Sequence, residues 1–331
     1  MFGPARAGFP SAAETATARS VFPTRQSVVA LLCAVAGAAQ EPAAWEPRPV
    51  STVLEAQVEL HRRGFSCGAI DGVAGGQTAA ALRAFQRARG LGESGALDAA
   101  TREYLWLTAA ALKVRTLMPE DFSGLRPLPA TWLEKSLEPD LAHASLLERI
   151  AEQHRAGVNF LRRLNPGTDW DALEPGATVS VPAVGPVAIA GRAAQITIRL
   201  EARELEAIDA EGRVLLHCPV SIARKVEKRP SGELQVIVIV REPNYTFDPE
   251  VFPESEEGRE LGRRLIIPPG PNNPVGRAWI GLNLPGYGIH GTPDPEKVGR
   301  TESHGCFRLA NWDAVTLLNL ARVGLVVRVE P

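Results

Sequence analysis

The chain has 331 residues, 45% of them hydrophobic, with 36 Lys and Arg against 38 Asp and Glu and a formal net charge of -2. That length fits two or three domains. The ordinary apolar content excludes a disordered chain, and basic residues spread along the whole sequence exclude a phosphate-tracking face, so no nucleic-acid partner is expected. Four cysteines are too few for a disulfide framework, and Cys67 and Cys218 are not expected to pair.

Near the N-terminus, Arg25 is followed by an apolar run, residues 28–39, that ends in small residues. The run is too short for a comfortable membrane span, and Ala36-Gly37-Ala38 suits a signal peptidase. Residues 1–39 are expected to be an export signal, giving an exported protein of the periplasm or cell wall with no stable membrane insertion after cleavage. The stretch before Arg25 is long for such a signal, so the true translation start is expected downstream of Met1. Leu31 and Leu32 precede Cys33 where lipid attachment wants small residues, so no lipid anchor is expected. Residues 40–49, with Glu41-Pro42 and Glu46-Pro47, read as a linker.

Residues 50–107 read as a small helical domain. Val53, Leu54, Gln57, Val58 and His61 recur at helical spacing up to Gly64. A glycine-rich loop, residues 68–76, leads to a second helix with Leu82 and Phe85 on one face. A third helix starts after Asp98, a good N-cap. Leu54, Ile70, Leu82, Phe85 and Leu91 form the expected core; Asp71 reads as a loop cap and Gln86 as a solvated helix edge. The run Gly68-Ala-Ile-Asp71-Gly72, then Thr78, Ala81-Leu82-Arg-Ala-Phe85-Gln86 and Gly95, resembles the peptidoglycan-binding helical repeat family. Cys67 stands where that family often has an aromatic residue. The resemblance implies binding of the glycan–peptide wall polymer, or a spacer of that shape.

Residues 108–143, with the Pro- and Gly-rich stretch 119–129, read as a second linker. Residues 144–185 follow as an α/β module. Ser145-Leu-Leu-Glu148 is a capping box opening a helix with Leu146, Leu147, Ile150 and Ala151 inward. A second helix holds Phe160, Leu161 and Leu164, and residues 173–182 give a turn and a strand. This order resembles the LysM fold, which binds N-acetylglucosamine polymers; the opening strand of that fold is not legible in residues 133–144.

Residues 190–331 are strand-rich and read as a β-sandwich or barrel with one helix. Ile196, Ile198 and Leu200 alternate with polar residues, and residues 214–222 form another strand after the turn Asp209-Ala-Glu-Gly212. Residues 234–240 read as a strand buried on both faces. Asn311 is expected to cap a helix closed by Gly324, before a last strand at 325–329. Between strand and helix, residues 290–311 hold two of the six histidines and one of the four cysteines. These are the side chains suited to nucleophilic acyl chemistry near neutral pH.

His290-Gly-Thr, Gly299 and Ser303-His304-Gly305-Cys306-Phe307-Arg308-Leu309 closely resemble the signature of the L,D-transpeptidase (YkuD-like) catalytic domain. The stretches 271–280 and Gly286-Tyr-Gly-Ile-His290 are similar to the same family. The resemblance implies Cys306 as nucleophile and His290 as its base, oriented by the Gly291 carbonyl or by Thr292. It further implies an oxyanion site at the Gly305 and Cys306 N–H groups, with His304 supporting the cysteine. Arg308, Tyr287, Ser303 and Thr292 are the expected substrate contacts, Arg308 holding a carboxylate. The long stretch 244–268, with Tyr245, Phe247 and Phe252, reads as a lid or substrate-binding loop. The implied reaction is cross-linking of peptidoglycan through a Cys306 acyl-enzyme on a tetrapeptide stem, with release of D-alanine. Stem peptides and glycan strands are the expected partners. Water as acceptor would make the same site an L,D-carboxypeptidase or wall-protein amidase. A wall-binding protein with a retired active site is the reading of another class, opposed by the intact Cys306 and His290. His290, His304 and Cys306 are permissible zinc ligands, but no His-Glu-x-x-His run is present, and neither metal nor cofactor is expected.

Overall fold

The computed structural model describes residues 45–187, 189–251, 255–301 and 305–331. The expected signal at 1–39, and Phe252, Ser303 and His304, lie outside the described residues.

The first module runs β1 (Arg48–Pro49), α1 (Val53–Arg62), α2 (Gly76–Ala88), α3 (Ala99–Tyr104) and β2 (Trp106–Leu107). Thr52 caps α1 while Glu55 reaches back to it, and Asp98 accepts from the Thr101 N–H at 2.8 Å to start α3; each cap satisfies an otherwise orphaned donor. β1 pairs with β2 and ties the module's two ends. Its core is Leu60, Phe65, Cys67, Leu82, Phe85, Leu105 and Leu107. Leu54 and Ile70, expected in that core, pack instead with the second module. Gln86 is not on a solvated edge. It is fully buried and donates to Ser94, the Ala96 carbonyl and Thr101, because the loop after α2 folds back over it and offers acceptors.

The second module begins earlier than the sequence indicated. β3 (Leu112–Thr116) pairs antiparallel with β4 (Thr178–Pro182), Leu112 opposite Pro182. Between them lie α4 (Pro119–Phe122), α5 (Trp132–Leu137), α6 (Leu146–Gln153) and α7 (Val158–Leu164). Residues 108–143 are therefore not a plain linker: they supply a strand and two short helices. β3 is illegible because its own pattern, Leu-Lys-Val-Arg-Thr, leaves Val114 70% exposed. Leu146, Leu147, Ile150, Phe160 and Leu161 close over Val179 and Val181. Ser145 caps α6 through the Glu148 N–H, whereas the Glu148 carboxylate accepts from Ala144 rather than from Ser145.

The remaining elements are β5 (Gln195–Arg199), β6 (Glu204–Ile208), β7 (Val214–Pro219), β8 (Gly232–Arg241), β9 (Tyr245–Phe247), α8 (Glu256–Leu261), β10 (Leu265–Ile267), β11 (Ala278–Leu282), β12 (Gly288–His290), β13 (Phe307–Arg308), α9 (Asn311–Leu320) and β14 (Val326–Glu330). Eight strands form one sheet in the order β13-β12-β11-β8-β14-β5-β6-β7. Its two ends meet: Ser221, just past β7, exchanges backbone hydrogen bonds of 2.9 and 3.0 Å with Arg308 of β13. The sheet thus curls toward a barrel, the expected mainly-β form, and α9 fills it with Ala314, Leu317 and Leu320 against Ile196, Leu205, Val236, Ile280, Ile289 and Phe307. Two expectations are corrected. β8 is not buried on both faces, since the neighbouring Ile237 and Val238, which point to opposite sides of the strand, are 54% and 41% exposed. Asn311 does not cap α9. Ala310 is the N-cap residue, and the Asn311 amide instead donates to Glu152 of α6 and to the Pro271 carbonyl.

Candidate active site

The site grows from the β13–β12 end of the curled sheet. β12 lies between β11 and β13, with His290 opposite Trp279 on one side and opposite Arg308 on the other. Cys306 immediately precedes β13, so the parallel β12–β13 pairing fixes it beside the strand that carries His290. The Trp279 ring stacks on His290, centroids 5.6 Å apart at 22°. That placement needs Gly288, where an added Cβ would stand 2.7 Å from the Trp279 ring. Gly291 serves a second close approach, for a Cβ there would meet the Asn311 Oδ1 at 2.3 Å.

His290 is 4% exposed, and its Nδ1 lies 2.6 Å from the Gly291 carbonyl. A carbonyl can only accept, so Nδ1 carries the proton and Nε2 keeps its lone pair. Burial pulls the His290 pKa down to about 4, opposed by the Gly291 hydrogen bond and assisted by the positive charge of Arg308. The imidazole is therefore neutral at pH 7 and able to take a proton. The Cys306 thiol donates to the Gly286 carbonyl at 3.3 Å. Burial pushes this thiol up, while a backbone hydrogen bond from Gly288 and the charge of Arg308 pull it down. Thiol and neutral imidazole, rather than thiolate and imidazolium, are thus the resting forms, and a proton must move for the sulfur to attack.

Both groups open onto a cavity of about 620 Å³. Arg308 also lines it, half-buried, and its Nε is buried without a hydrogen-bond partner among the described residues. Gly305 and Tyr287 are on the wall as well, the Tyr287 hydroxyl donating to the Lys228 carbonyl at 3.0 Å. Thr292 is buried off the cavity, where its hydroxyl accepts from the Asp294 N–H; Gly291, not Thr292, supplies the acceptor that holds His290. The structure thus brings together Cys306, His290, Gly291, Gly305, Arg308 and Tyr287 and leaves Thr292 aside.

β9 and the turn after it add Tyr245, Thr246, Asp248 and Val251 to the lining. β9 pairs only with β10, in a two-stranded sheet separate from the main one. Burial raises the Tyr245 phenol to about 12, with further upward pressure from Cys306 and Asp248 and an opposing pull from Arg308. Tyr245 therefore stays protonated and can donate.

Residues 193–329 match the family described as the L,D-transpeptidase catalytic domain, YkuD. This part of the chain is an L,D-transpeptidase catalytic domain. Ahead of the transpeptidase domain, residues 50–105 match a second family, described as "Putative peptidoglycan binding domain". The chain is 26% identical over 186 residues to "Putative L,D-transpeptidase YkuD" of Bacillus licheniformis, covering 56% of this chain and 93% of that one. It is 32% identical over 127 residues to "Putative L,D-transpeptidase in ATP synthase subunits region ORF 5" of Fuscovulum blasticum, covering 38% and 64%. The first alignment is longer than the span 193–329, after which only Glu330 and Pro331 remain, so it reaches back into the second module. Among solved structures, the chain aligns with an Enterococcus faecium L,D-transpeptidase at 16% identity and a TM-score of 0.31, covering 46% of this chain and only 55% of that one. An L,D-transpeptidase from Mycobacterium smegmatis aligns at 18% identity and a TM-score of 0.33, covering 50% and 80%.

Two site residues escaped the sequence reading of the transpeptidase domain. Trp279 lies in the stretch 271–280 that is similar to the family, but its stacking on His290 comes from the β11–β12 register. Lys228 lines the cavity from the end of a short 3-10 helix, Val226–Lys228.

Proposed function

We infer that the chain is an exported wall enzyme that forms peptidoglycan cross-links through an acyl-enzyme on Cys306. The observation that carries this reading is the pairing of Cys306 and His290 on one cavity, with His290 neutral and its Nδ1 proton committed to Gly291. The His290 Nε2 takes the thiol proton as sulfur attacks the carbonyl after the third residue of a tetrapeptide stem. The tetrahedral oxyanion rests on the Gly305 and Cys306 N–H groups, often the largest single contribution in acyl transfer. Collapse breaks the peptide bond, and D-alanine leaves with the proton returned by His290. An amine of a second stem then attacks the thioester and gives its proton to His290, which passes it to the Cys306 sulfur as the thioester bond breaks. Arg308, whose buried Nε has no hydrogen-bond partner among the described residues, suits a stem carboxylate, and Tyr287 lines the same cavity. His304 and Ser303 would complete the pocket.

The peptidoglycan-binding domain at 50–105 would concentrate the enzyme on its polymer, since a second attached site adds avidity even when weak. A LysM-like second module is part of the reading: β3 and β4 pair antiparallel around α6 and α7, with α4 and α5 inserted between β3 and α6. Export fits a wall substrate, with residues 1–39 as the signal; among the described residues no helix is long and apolar enough to cross a membrane.

Intact-mass measurement of wild type and Cys306→Ala with a tetrapeptide stem, with and without an acceptor stem, tests the reading. An adduct on wild type alone that passes to a cross-linked product supports it. An adduct that only hydrolyses replaces it with an L,D-carboxypeptidase, and no adduct on folded protein removes it.

A further inference from the structure

Part of the cavity lining around Cys306 is not held by the sheet that carries Cys306. β9 and β10 make a two-stranded hairpin of their own, and such a hairpin is marginal in water without a face to pack on. That face is supplied by α5, from the segment between β3 and α6, more than a hundred residues upstream in sequence. Trp132 of α5 stacks on Phe247, centroids 4.5 Å apart and planes at 12°, and meets Tyr245 at 6.0 Å. Tyr245 and Phe247 are two apart on β9 and so share a face. Lys135 covers Trp132 at 4.9 Å. Leu141, Leu265 and Ile267 complete an apolar cluster separate from the other cores.

Polar contacts fix the same junction. The Glu257 carboxylate on α8 accepts from the N–H groups of Trp132 and Leu133, both at 2.8 Å, so an acid from the hairpin segment satisfies the first donors of α5. The chain after α5 is bolted down as well: the Leu141 N–H donates to Pro269, and Leu141 accepts from the Asn272 N–H.

We propose that Trp132 is a positioning residue for Tyr245, and that the segment carrying α5 thereby sets how tightly the donor stem is held over Cys306. Tyr245 touches both sides of this arrangement, the Trp132 ring on one and the cavity with Cys306 and Arg308 on the other. Tyr245 lines the cavity a stem peptide would enter, and removing Trp132 takes away the ring that packs on both Tyr245 and Phe247. This proposal rests on the acyl-transfer reading of the site.

The test uses the full chain as wild type, Trp132→Ala, Trp132→Phe and Glu257→Gln. Acylation by a tetrapeptide stem is followed by intact mass over a range of stem concentrations, and hydrogen exchange is read on peptides spanning 244–268. Trp132→Ala is expected to raise the half-saturating stem concentration about fivefold to tenfold, the scale of a lost aromatic pair. The maximal rate stays within about twofold. Exchange at residues 245–247 rises while β11 and β12 stay protected, and Trp132→Phe returns both readouts toward wild type. Should Trp132→Ala fail to fold, Glu257→Gln carries the same test with Trp132 in place. Unchanged exchange and half-saturation overturn the proposal, as does a fall in maximal rate alone. A wild type that is never acylated, with exchange still raised in Trp132→Ala, overturns the acyl-transfer reading and leaves the clamp standing as structure.

Discussion

His290 does its work by being kept uncharged. Its burial and the neighbouring Arg308 hold it down to about 4, so the acylation rate constant at low stem concentration should show no acid limb near pH 6.5. A flat profile from pH 7.5 to 5 is expected, and halving near 6.5 would mean that the ring is wetter than its 4% exposure implies. Replacing His290 by Ala removes the base and should slow acylation about 10²–10⁴-fold, measured by intact mass; Cys306→Ala should remove the adduct altogether. Both residues were legible in the sequence because the local run joins Cys306 to two histidines and several glycines. The Trp279 ring beside them was not, because its contact with His290 is a matter of strand register.

At the scale of elements, the β11–β12 pair depends on a missing side chain. Gly288→Ala would set a Cβ 2.7 Å from the Trp279 ring, and the ring must leave His290 or the strands must part. A loss of about 1–3 kcal/mol of stability is expected from such overpacking, with reduced acylation, whereas Gly92→Ala, which meets open space, should stay within about 0.5 kcal/mol. Urea melts of the two variants against wild type measure both. The same physics explains which elements could be read in advance. β5, β14 and α9 announce themselves by apolar periodicity. β6 does not, because its Glu204 and Glu206 are buried, Glu204 beside Arg83 and Glu206 against Arg87, Arg199 and His217, and acids in a strand read as surface. β3 fails for the opposite reason, since its side chains stay out and only its backbone is used. β8 looked like a core strand and is a largely open one: Val236 is buried, but Ile237, Val238 and Val240 further along the run are exposed.

Across the whole molecule, acid should be the sharpest stress. His61, His154 and His290 are held down by burial to about 3, 4 and 4, from an ordinary 6.5. Below pH 6.5 the unfolded chain takes up these protons and the folded chain refuses them, so stability is lost as pH falls. Asp313 works in the other sense. Burial raises it to about 6 from 3.8, so near pH 5 the folded chain holds a proton there that the unfolded chain does not. The balance is about two more protons on the unfolded chain, a loss of about 2.7 kcal/mol per pH unit around pH 5. Denaturant titrations at pH 7, 6 and 5 measure that slope, and a slope near zero would mean that these histidines are hydrated. The modules meet over the same group. The Asp313 carboxylate accepts from the Ser66 hydroxyl of the first module at 2.8 Å, and Arg155 of the second, 4% exposed, supplies the neighbouring positive charge. An acid sunk between three parts of one chain is also a constraint on descent. A lineage cannot exchange its N-terminal modules by recombination without stranding that charge, so positions 66, 155 and 313 should be inherited as a set, changing together or not at all.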